Sequence, residues 1–500
     1  MSSAGGSWDA TLGEFSARRE AARAMGGEEK LAKHQQRGKL DARQRIATLL
    51  DPGSFAEIGT LVGSVPADGI VCGHGMIDGR PVLVGAEDFT VLGGSIGPGS
   101  SSKRYRIAEM AGRERAPLIM LLEGAGHRPP MKGESHGRAP IDLQEQSRLS
   151  GNVPMVVGVL GASAGHGALI AALSDFTIMS AQGAIFAAGP PVVKASLGED
   201  VTKEDLGGPS VAVPSGLVHN VAADDEGVLA DIRTYLSFFP SSAWSYPPPA
   251  AAQSDTGHRS LDDLVDIIPR SSTQVYDIRE VISRVVDDGT FFQVGPDFGP
   301  AMVCALAHLG GEPVAVVANQ PMQLAGSIDV DAADKAAHFI QVADAFHLPL
   351  VFLSDNPGVL AGSESERRGI LRSGARMFAA QNLARVPKLQ VTLRKAYGFG
   401  SMVMAMTGFS GQTISVGMPG VTLGAMGAAG SSAAVGANED EAAAIAEAEQ
   451  QAAYRSAGHL SFDELIAPTE IRNELLTWLQ LGLSRRQAPA QPRPGPTIHR

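Results

Sequence analysis

An internal duplication is the feature of this sequence of 500 residues that most restricts its fold. Short apolar runs that open around a proline recur in both halves of the chain, at Pro81, Pro117 and Pro154 and then at Pro313, Pro349 and Pro387. The matching prolines are offset by 232, 232 and 233 positions. A repeat of this length is too long for a solenoid, in which units recur every few tens of residues. The sequence therefore predicts a duplicated domain.

Apolar runs and helical segments alternate within each half, over residues 73–236 and again over 276–481. Alternation of this kind is typical of an α/β fold with parallel strands. The intervening stretch 239–258 is rich in Pro, Ser and Ala, which is typical of a linker. We predict an N-terminal domain over 1–255 that starts with a helical segment, a C-terminal domain over 256–483, and a disordered tail over 484–500.

Composition narrows the possible environments and partners. The chain is 44% hydrophobic with a net charge of −12 and has no strong basic run, which argues against nucleic acid or a membrane surface as the main partner. The two cysteines exclude a disulfide framework and fit a reducing compartment. The first residues lack the basic and apolar regions of a secretory signal. We therefore expect a cytoplasmic protein.

Each half also contains a glycine turn eleven residues after its third proline, AGHG at 164–167 and YGFG at 397–400. Each turn lies between an apolar run and a segment of helical character. A strand, a turn and a helix start leave peptide N–H groups unpaired, and the helix dipole adds positive charge there. Such a site can stabilise an oxyanion such as a thioester enolate. Two such turns suit a reaction with an oxyanion on each of two substrates.

Other motifs leave alternatives open. The segment 161–165 fits G-x-S-x-G, so Ser163 could be the nucleophile of a serine hydrolase, although the matching position in the second half is Ala396. Lys103 stands near the start of a helical segment after a glycine-rich run and could contact ligand phosphates. No metal-ligand spacing, dinucleotide fingerprint or nucleotide-phosphate loop is found, so we predict no metal in this subunit.

A series of segments carries a family resemblance, in order along the chain: KLDARQRI at 39–46, LLDPGSF at 49–55, GPPVVK at 189–194, EDLGG at 204–208, YDIREVI at 276–282, VANQP at 317–321 and RKAYG at 394–398. Together they resemble the carboxyltransferase (β) subunits of biotin-dependent acyl-CoA carboxylases. The similarity extends over about residues 30–465, nearly the whole chain.

The resemblance implies a fold, an assembly and a reaction. Each half should be a crotonase-like (ClpP/crotonase) β/α superhelical domain, and six subunits should form a homohexamer with the active site at a dimer interface. The family transfers a carboxyl group from N1 of carboxybiotin to the α-carbon of an acyl-CoA in lipid metabolism. Two enolates form in this reaction, and each requires an oxyanion hole.

The resemblance also implies site residues. Gly165 and His166 match the pair that holds the thioester oxygen, although the internal duplication would place this pair one residue later. Phe399 and Gly400 match the pair that holds the biotin carbonyl oxygen. The other positions that match the coenzyme A and biotin sites are Lys103, Gly124, Ala125, Gly126, Arg128, Tyr397 and Met402.

Three positions depart from the family pattern. His166 and Phe399 stand where the family usually has glycine, which keeps both N–H groups but adds bulk beside the reacting atoms. Met402 replaces an aspartate of propionyl-type members, so propionyl selectivity does not follow from the resemblance. The sequence has neither a biotinylation segment nor an ATP loop, which implies that a partner α subunit supplies biotin and the biotin carboxylase activity.

Three further functions remain open at this point. The same fold could serve a biotin-dependent decarboxylase or transcarboxylase, which runs related chemistry in other directions. A serine hydrolase would use Ser163. A catalytically degenerate subunit that only assembles with active homologues is the third, because His166 and Phe399 replace glycines.

Overall fold

The structure, a computed structural model, describes residues 8–128, 141–250, 255–406, 411–486, 489–492 and 497. The chain divides into two units, the first ending at Thr234 and the second beginning at Tyr235. This division precedes the boundary at 255 that composition predicts, because aromatic residues of the linker pack within the second unit. Phe238 stacks on His308 with ring centroids 4.8 Å apart, and Phe239 meets Phe346 edge-on at 5.7 Å.

The first unit is built on one eight-stranded sheet in the order β1-β2-β3-β4-β5-β6-β8, with β7 paired to β5. The strands from β3 to β6 are parallel, and β1 to β3 are antiparallel. The strands are β1 Ala56–Ile58, β2 Ile70–Ile77, β3 Arg80–Glu87, β4 Leu118–Gly124, β5 Met155–Ala164, β6 Phe176–Ser180, β7 Ala184–Phe186 and β8 Asn220–Ala222. The helices are α1 Trp8–Arg23, α2 Glu28–Gln35, α3 Ala42–Leu49, α4 Pro98–Glu114, α5 Asp142–Leu149, α6 His166–Leu173, α7 Pro190–Leu197, α8 Lys203–Gly207, α9 Pro209–Ala212 and α10 Asp225–Ser237.

The second unit contains a sheet of the same topology, in the order β16-β14-β13-β12-β11-β10-β9, with β15 paired to β13. Its strands are β9 Phe292–Val294, β10 Met302–Leu309, β11 Glu312–Asn319, β12 Leu350–Asn356, β13 Lys388–Tyr397, β14 Ile414–Gly417, β15 Thr422–Gly424 and β16 Glu464–Leu465. Its helices are α11 Leu264–Ile267, α12 Ile278–Val285, α13 Val330–Ala345, α14 Ser363–Arg368, α15 Ile370–Leu383, α16 Gly398–Val403, α17 Ala428–Val435, α18 Glu439–Gln450, α19 Ala452–Gly458 and α20 Ile471–Leu483.

The two sheets confirm the predicted α/β fold and the duplication. Strand for strand, β1 to β8 correspond to β9 to β16 in pairing order and direction. A 3₁₀ turn follows β3 in the first unit, at Leu92–Gly94, and another follows β11 in the second unit, at Leu324–Gly326. Within each unit, buried aliphatic side chains from alternate strand positions and the covering helices form a large hydrophobic cluster, and the second unit has a further small cluster at Val421, Ala453 and Phe462.

The prolines that revealed the duplication lie at the beginnings of strands because only their carbonyl is needed there. The Pro117 carbonyl accepts from the Leu83 N–H at 2.8 Å, and the Pro349 carbonyl accepts from the Ala315 N–H at 2.8 Å. A proline has no N–H to donate, so it fits a sheet only where no such bond is required. The prolines therefore mark where β4 and β12 enter the parallel sheet.

The longest strand of each sheet is irregular near its carboxyl end. The pairing of β4 with β5 shifts between Leu122 and Gly124, and that of β12 with β13 shifts between Ser354 and Asn356. Bulges of this kind bend a strand and increase its twist. The bends lie just before the two glycine turns, so they set the direction in which the chain enters each turn.

No helix in the described part of the chain is long and apolar enough to cross a membrane. The apolar stretch 153–173 instead forms a strand, a turn and a short helix, β5 followed by α6, as the glycines and proline in it predict. Its side chains are mostly buried within the first unit.

A buried arginine fixes helix α20 to the remainder of the second unit. Arg472 is fully buried, and its guanidinium donates to the carbonyls of Val285 (2.7 Å) and Gly257 (3.0 Å) and to Asp287 Oδ1 (2.8 Å). Asp287 in turn accepts from the N–H groups of the turn between β10 and β11, at Gly310 and Gly311. The ion pair is therefore part of a hydrogen-bonded network.

We expect Arg472→Leu to lower the free energy of unfolding by about 3–5 kcal/mol, because it leaves Asp287 buried without its counter-ion. The measurement is urea unfolding followed by circular dichroism. The control is Arg113→Leu, which removes an exposed, surface-paired guanidinium and should change stability by less than about 1 kcal/mol. Equal shifts in the two variants would show that the Arg472 network does not stabilise the second unit.

Candidate functional site

The first glycine turn joins β5 to α6 through a backbone that only glycine adopts readily. Gly165 has φ 58° and ψ −123°. Its N–H donates to the Phe186 carbonyl of β7 at 3.1 Å, and its carbonyl accepts from the Leu169 N–H at 3.1 Å. His166 and Gly167 are the first two residues of α6, where a helix provides no acceptor for N–H groups. The N–H groups of His166 and Gly167 therefore have no acceptor within α6.

This geometry determines which of the two expected pairs the first turn can provide. The N–H of Gly165 is engaged in the sheet, so Gly165 shapes the turn rather than donating to a ligand. The shift by one residue is the one that the internal duplication implies, since β13 and β5 correspond with an offset of 388 − 155 = 233. With this offset, Gly165 matches Gly398, His166 matches Phe399, and Gly167 matches Gly400.

The second turn repeats the first. Gly398 has φ 52°, and a Cβ there would lie 2.8 Å from the Ala425 carbonyl oxygen. Phe399 and Gly400 follow in the first turn of α16. The side chain of Phe399 is directed towards α15, because its ring lies 6.0 Å from that of Phe378 and only 3.0 Å from where a Cβ on Gly374 would be. The Phe399 ring therefore packs over Gly374 of α15, where the absence of a side chain leaves room for it.

The last glycine of each turn is required by close packing. A Cβ on Gly167 would lie 3.2 Å from Glu87 Oε1. A Cβ on Gly400 would lie 2.1 Å from Asn356 Oδ1 and 2.7 Å from the Gly358 Cα. No side chain fits at Gly400 without moving the β12 end, so the helix start is held directly against the strand beside it.

His166 is anchored by a buried carboxylate. Its Nε2 lies 2.5 Å from Oδ1 of Asp142, which is fully buried in the first turn of α5, and its ring packs edge-on against His127 at 4.8 Å. Burial opposes ionisation of Asp142, but the hydrogen bond from His166 and the charge of Arg104 outweigh it and lower the pKa of Asp142. The imidazole therefore has a defined orientation beside the first donor pair.

The strand ends beneath the two turns make the same backbone contact with different side chains. Glu87 Oε2 accepts from the Glu123 N–H at 2.6 Å, and Asn319 Oδ1 accepts from the Asp355 N–H at 3.1 Å. Glu87 is fully buried and pairs with Arg104, and burial raises its pKa. The first unit thus carries a buried ion pair where the second has a neutral amide.

The predicted coenzyme A residues fall into two groups. The loop Gly124, Ala125 and Gly126 lies beside the first turn: a Cβ on Gly126 would lie 3.0 Å from the Ala164 carbonyl oxygen, and Ala125 is exposed. Lys103 lies elsewhere, buried, with its ammonium donating to the carbonyls of Ala67 (3.0 Å) and Ile70.

Arg128 is also withdrawn into the first unit. Its guanidinium is buried and pairs with Asp68, and the backbone N–H of Arg128 donates to the Ile96 carbonyl at 3.0 Å. Burial also lowers the pKa of the Lys103 ammonium, in keeping with a structural role for that residue. The glycine loop therefore lies at the first turn, whereas the charged groups of Lys103 and Arg128 contact other parts of the first unit.

The predicted biotin-side residues flank the second turn. The Tyr397 hydroxyl donates to Glu449 Oε1 at 2.7 Å, and burial raises the pKa of this hydroxyl. Glu449 Oε1 also accepts from the Ala428 N–H at 2.9 Å, which ties α18 to the start of α17. Met402 lies on α16 with 44% of its side chain exposed.

Sequence patterns did not indicate Asp142 or Glu449. Asp142 is 24 residues from its partner His166, and Glu449 is 52 residues from Tyr397. Neither belongs to a recognisable motif. An acidic residue at the start of a helical segment is the one signal that the sequence offers for Asp142. That signal does not identify His166 as its partner, because the fold is needed to bring the two together.

Ser163 lacks the geometry of a hydrolase nucleophile. It lies within β5, paired with Gly124 and Ile185, and the left-handed residue is Gly165, two positions later. Its Oγ is buried without a hydrogen-bond partner in the part of the chain that the structure describes. A nucleophile elbow requires an exposed Oγ at the turn and a base in contact. The structure does not support the hydrolase alternative.

Within the described ranges, no cluster of three or more His, Cys, Asp or Glu side chains could hold a metal ion. The two cysteines, Cys72 and Cys304, are buried and unpaired, and burial raises the pKa of the Cys72 thiol to about 11.

Known proteins share both the sequence and this architecture. The carboxyl transferase domain family matches residues 33–493. The propionyl-CoA carboxylase carboxyltransferase subunit of Haloferax mediterranei is 35% identical, over 95% of this chain and 97% of its own length. The biotin-dependent long chain acyl-coenzyme A carboxylase beta4 subunit of Mycobacterium tuberculosis is 38% identical, over 79% of this chain and 77% of its own length.

A solved structure is similar over nearly the full length. The transcarboxylase 12S hexamer, solved with hydrolysed methylmalonyl-coenzyme A bound, superposes with a TM-score of 0.90 at 33% identity and covers 98% of this chain and 99% of its own. The predicted crotonase-like fold of two tandem domains is thereby confirmed.

We expect Gly400→Ala to destabilise the second unit by about 1–3 kcal/mol, because its Cβ overlaps the end of β12. Thermal unfolding measures the loss. Gly420→Ala is the matched control, since nothing lies within 4 Å of the added carbon there. An unchanged melting temperature for Gly400→Ala would show that α16 is not packed against β12.

Proposed function

Because this chain belongs to the carboxyl transferase domain family, we propose that it is the carboxyltransferase subunit of a biotin-dependent acyl-CoA carboxylase. The observation that carries the proposal is the matched pair of strand–glycine–helix turns, one in each unit. The relatives act on propionyl-CoA and long-chain acyl-CoA according to their names, so the shared substrate class is an acyl-CoA thioester.

In the first unit, the N–H groups of His166 and Gly167 bind the thioester oxygen. Removal of the α-proton converts this oxygen into an enolate, and the two donors and the positive end of α6 stabilise the charge that develops. The loss of one donor from such a hole typically reduces the rate about 10²–10³-fold. Gly167 permits this approach because no side chain covers its amide.

In the second unit, the N–H groups of Phe399 and Gly400 bind the ureido oxygen of biotin. Carboxybiotin, when bound, supplies the carboxyl group and a base for the α-proton. The residues of the chain contribute position and charge: the two amides hold the oxygen, and Met402 presents an apolar, half-exposed side chain on the same helix. Glu449 fixes Tyr397 behind the turn.

The loop Gly124–Gly126 forms part of the coenzyme A site in this proposal. Its two glycines pack against Gly94, Glu87 and Ala164 beside the first turn, and the exposed Ala125 presents little bulk to a ligand. Lys103 is left out of the site, because its ammonium is bonded to the carbonyls of Ala67 and Ile70. Arg128 pairs with Asp68 through one nitrogen, while its Nε and Nη1 have no hydrogen-bond partner among the described residues.

The proposal includes an assembly and a location. A partner α subunit carries biotin and the biotin carboxylase activity, and six copies of this chain form a homohexamer, which the transcarboxylase 12S hexamer supports by similarity. Two buried, unpaired cysteines support a cytoplasmic location.

A transcarboxylase or decarboxylase is the second candidate, favoured by the full-length similarity to transcarboxylase 12S. It uses the same two holes with another carboxyl donor or acceptor. The experiment that separates the candidates supplies ATP and bicarbonate to the purified partner complex. A carboxylase yields carboxylated acyl-CoA, whereas a transcarboxylase requires a carboxylated CoA ester as donor.

Ser163→Ala should leave carboxyl transfer intact, because Ser163 Oγ is buried and makes no hydrogen bond among the described residues. Carboxylation of acyl-CoA by the complex is the readout. Loss of activity in a folded Ser163→Ala protein would return the serine hydrolase to consideration. Absence of transfer in the unmodified complex would favour a subunit that only assembles.

His166→Gly should widen acyl tolerance, because it removes an imidazole that Asp142 holds beside the thioester oxygen. We expect the ratio of kcat/KM for long over short acyl-CoA to rise more than about tenfold. Acetyl-, propionyl-, branched and long acyl-CoA form the substrate panel. The control is His459→Gly, which removes an exposed histidine. An unchanged substrate profile in His166→Gly would mean that the imidazole does not line the acyl pocket.

A further inference from the structure

The second unit contains a cavity of about 260 Å³ that belongs to neither glycine turn. It lies at the edge of the sheet where β12 and β13 begin, next to the end of α20. The charged and aromatic residues that surround it are Tyr246, His347, Arg385, Arg485, Arg486 and Asp344. The remainder of the lining is uncharged: Val386, Pro387, Gly482, Pro489 and Gln491. Its lining therefore carries an excess of positive charge.

One arginine is fixed in place as part of the cavity wall. Arg486 donates to Glu312 Oε2 at 3.0 Å and to the His347 carbonyl at 3.0 Å. Its guanidinium lies over the Tyr246 ring, 5.0 Å from the centroid, and Tyr246 meets His347 edge-on at 5.3 Å. Burial lowers the pKa of His347, which disfavours the charged imidazole, and three arginines give the wall its positive charge.

Arg385 and Arg485 have guanidinium N–H donors that are not used in hydrogen bonds to the described residues. The Arg385 side chain is 48% exposed, and its closest acidic contact is Nε to Asp344 Oδ2 at 4.0 Å. Arg485 is exposed, and its Nε donates to the Gly482 carbonyl at 3.3 Å. The terminal nitrogens of both guanidiniums make no hydrogen bond to the residues that the structure describes.

Asp344 shapes the cavity and offsets part of the charge of Arg385, leaving the lining positive because three arginines face one carboxylate. Its Oδ1 accepts from the N–H groups of Arg385 at 2.6 Å and Val386 at 3.2 Å. The carboxylate thus holds the loop before β13 and places Arg385 at the rim. Two forked guanidiniums that face one cavity match the geometry of carboxylate and phosphate oxygens.

We propose that this cavity binds a small multivalent oxyanion, a phosphorylated or polycarboxylate metabolite, through Arg385 and Arg485. Its volume is below the range of about 300–1,000 Å³ that is usual for drug-sized ligands, which favours a compact anion. Tyr246 and Pro387 provide the apolar part of the wall.

The site is remote from the second glycine turn. The cavity adjoins the first residues of β13 and the turn follows the last, ten residues later, which at about 3.3 Å per residue separates them by about 33 Å. A bound anion would therefore not compete with substrates at Phe399 and Gly400. It would bridge the loop before β13 and the end of α20, and so stabilise the second unit.

The test uses the full-length protein and isothermal calorimetry with two probes, inorganic pyrophosphate and succinate, at ionic strength held constant with sodium chloride. We expect saturable binding of at least one probe. The variant R385Q/R485Q should weaken it more than about tenfold, since charge-assisted hydrogen bonds are lost. R18Q/R367Q is the control, because it removes two exposed arginines whose side chains are 69% accessible, and its affinity should match the unmodified protein.

Each outcome decides the question. Binding of pyrophosphate alone assigns a phosphorylated ligand, and binding of succinate alone assigns a carboxylate. Absence of saturable binding by both probes overturns the proposal, as does binding that survives in R385Q/R485Q, because it would come from another site. The single variant Arg485→Gln, exposed and remote from the core, repeats the test if the double variant unfolds, and unweakened binding there also overturns the proposal.

Discussion

The structure depends on one backbone constraint: a long buried strand must pass directly into a helix through a glycine with positive φ. Gly165 and Gly398 make this turn possible, at φ 58° and φ 52°. In the first unit the Gly165 N–H is bonded to β7, and the next two N–H groups have no acceptor within α6 because they lie at its start. The strand bends and the packing of Gly167 and Gly400 serve to direct these groups.

The two halves keep this constraint and differ in the groups around it. In the first, a buried ion pair of Glu87 and Arg104 lies beneath the turn, and a carboxylate orients His166. In the second, Asn319 takes the place of Glu87, and Glu449 orients Tyr397. In the function that we propose, a turn that is duplicated in this way serves two different substrates while the main chain stays the same.

The fold was predictable because backbone needs leave clear marks in sequence. Prolines mark strand starts that donate no N–H and glycines mark turns, so the duplicated α/β domain and its offset followed from spacing, whereas the crotonase-like fold followed from the family resemblance. The position of the first turn was predictable, whereas only the structure shows that the Gly165 N–H is used by β7, which is why the donor pair that we propose lies one residue later than the resemblance implies. The burial of Lys103 was not predictable, because a basic residue at a helix start looks the same whether it faces a ligand or a carbonyl. Asp142 and Glu449 were missed because their partners are distant in sequence.

The central claim is that backbone amides of two equivalent turns hold the reacting oxygens. The most direct test is an experimental structure of the assembled protein with an acyl-CoA and biotin bound. The account predicts the thioester oxygen within about 2.7–3.2 Å of the His166 and Gly167 nitrogens, and the ureido oxygen at the same distance from Phe399 and Gly400. Either oxygen bound instead to side chains, or either amide pair bonded to protein carbonyls in that complex, would contradict it.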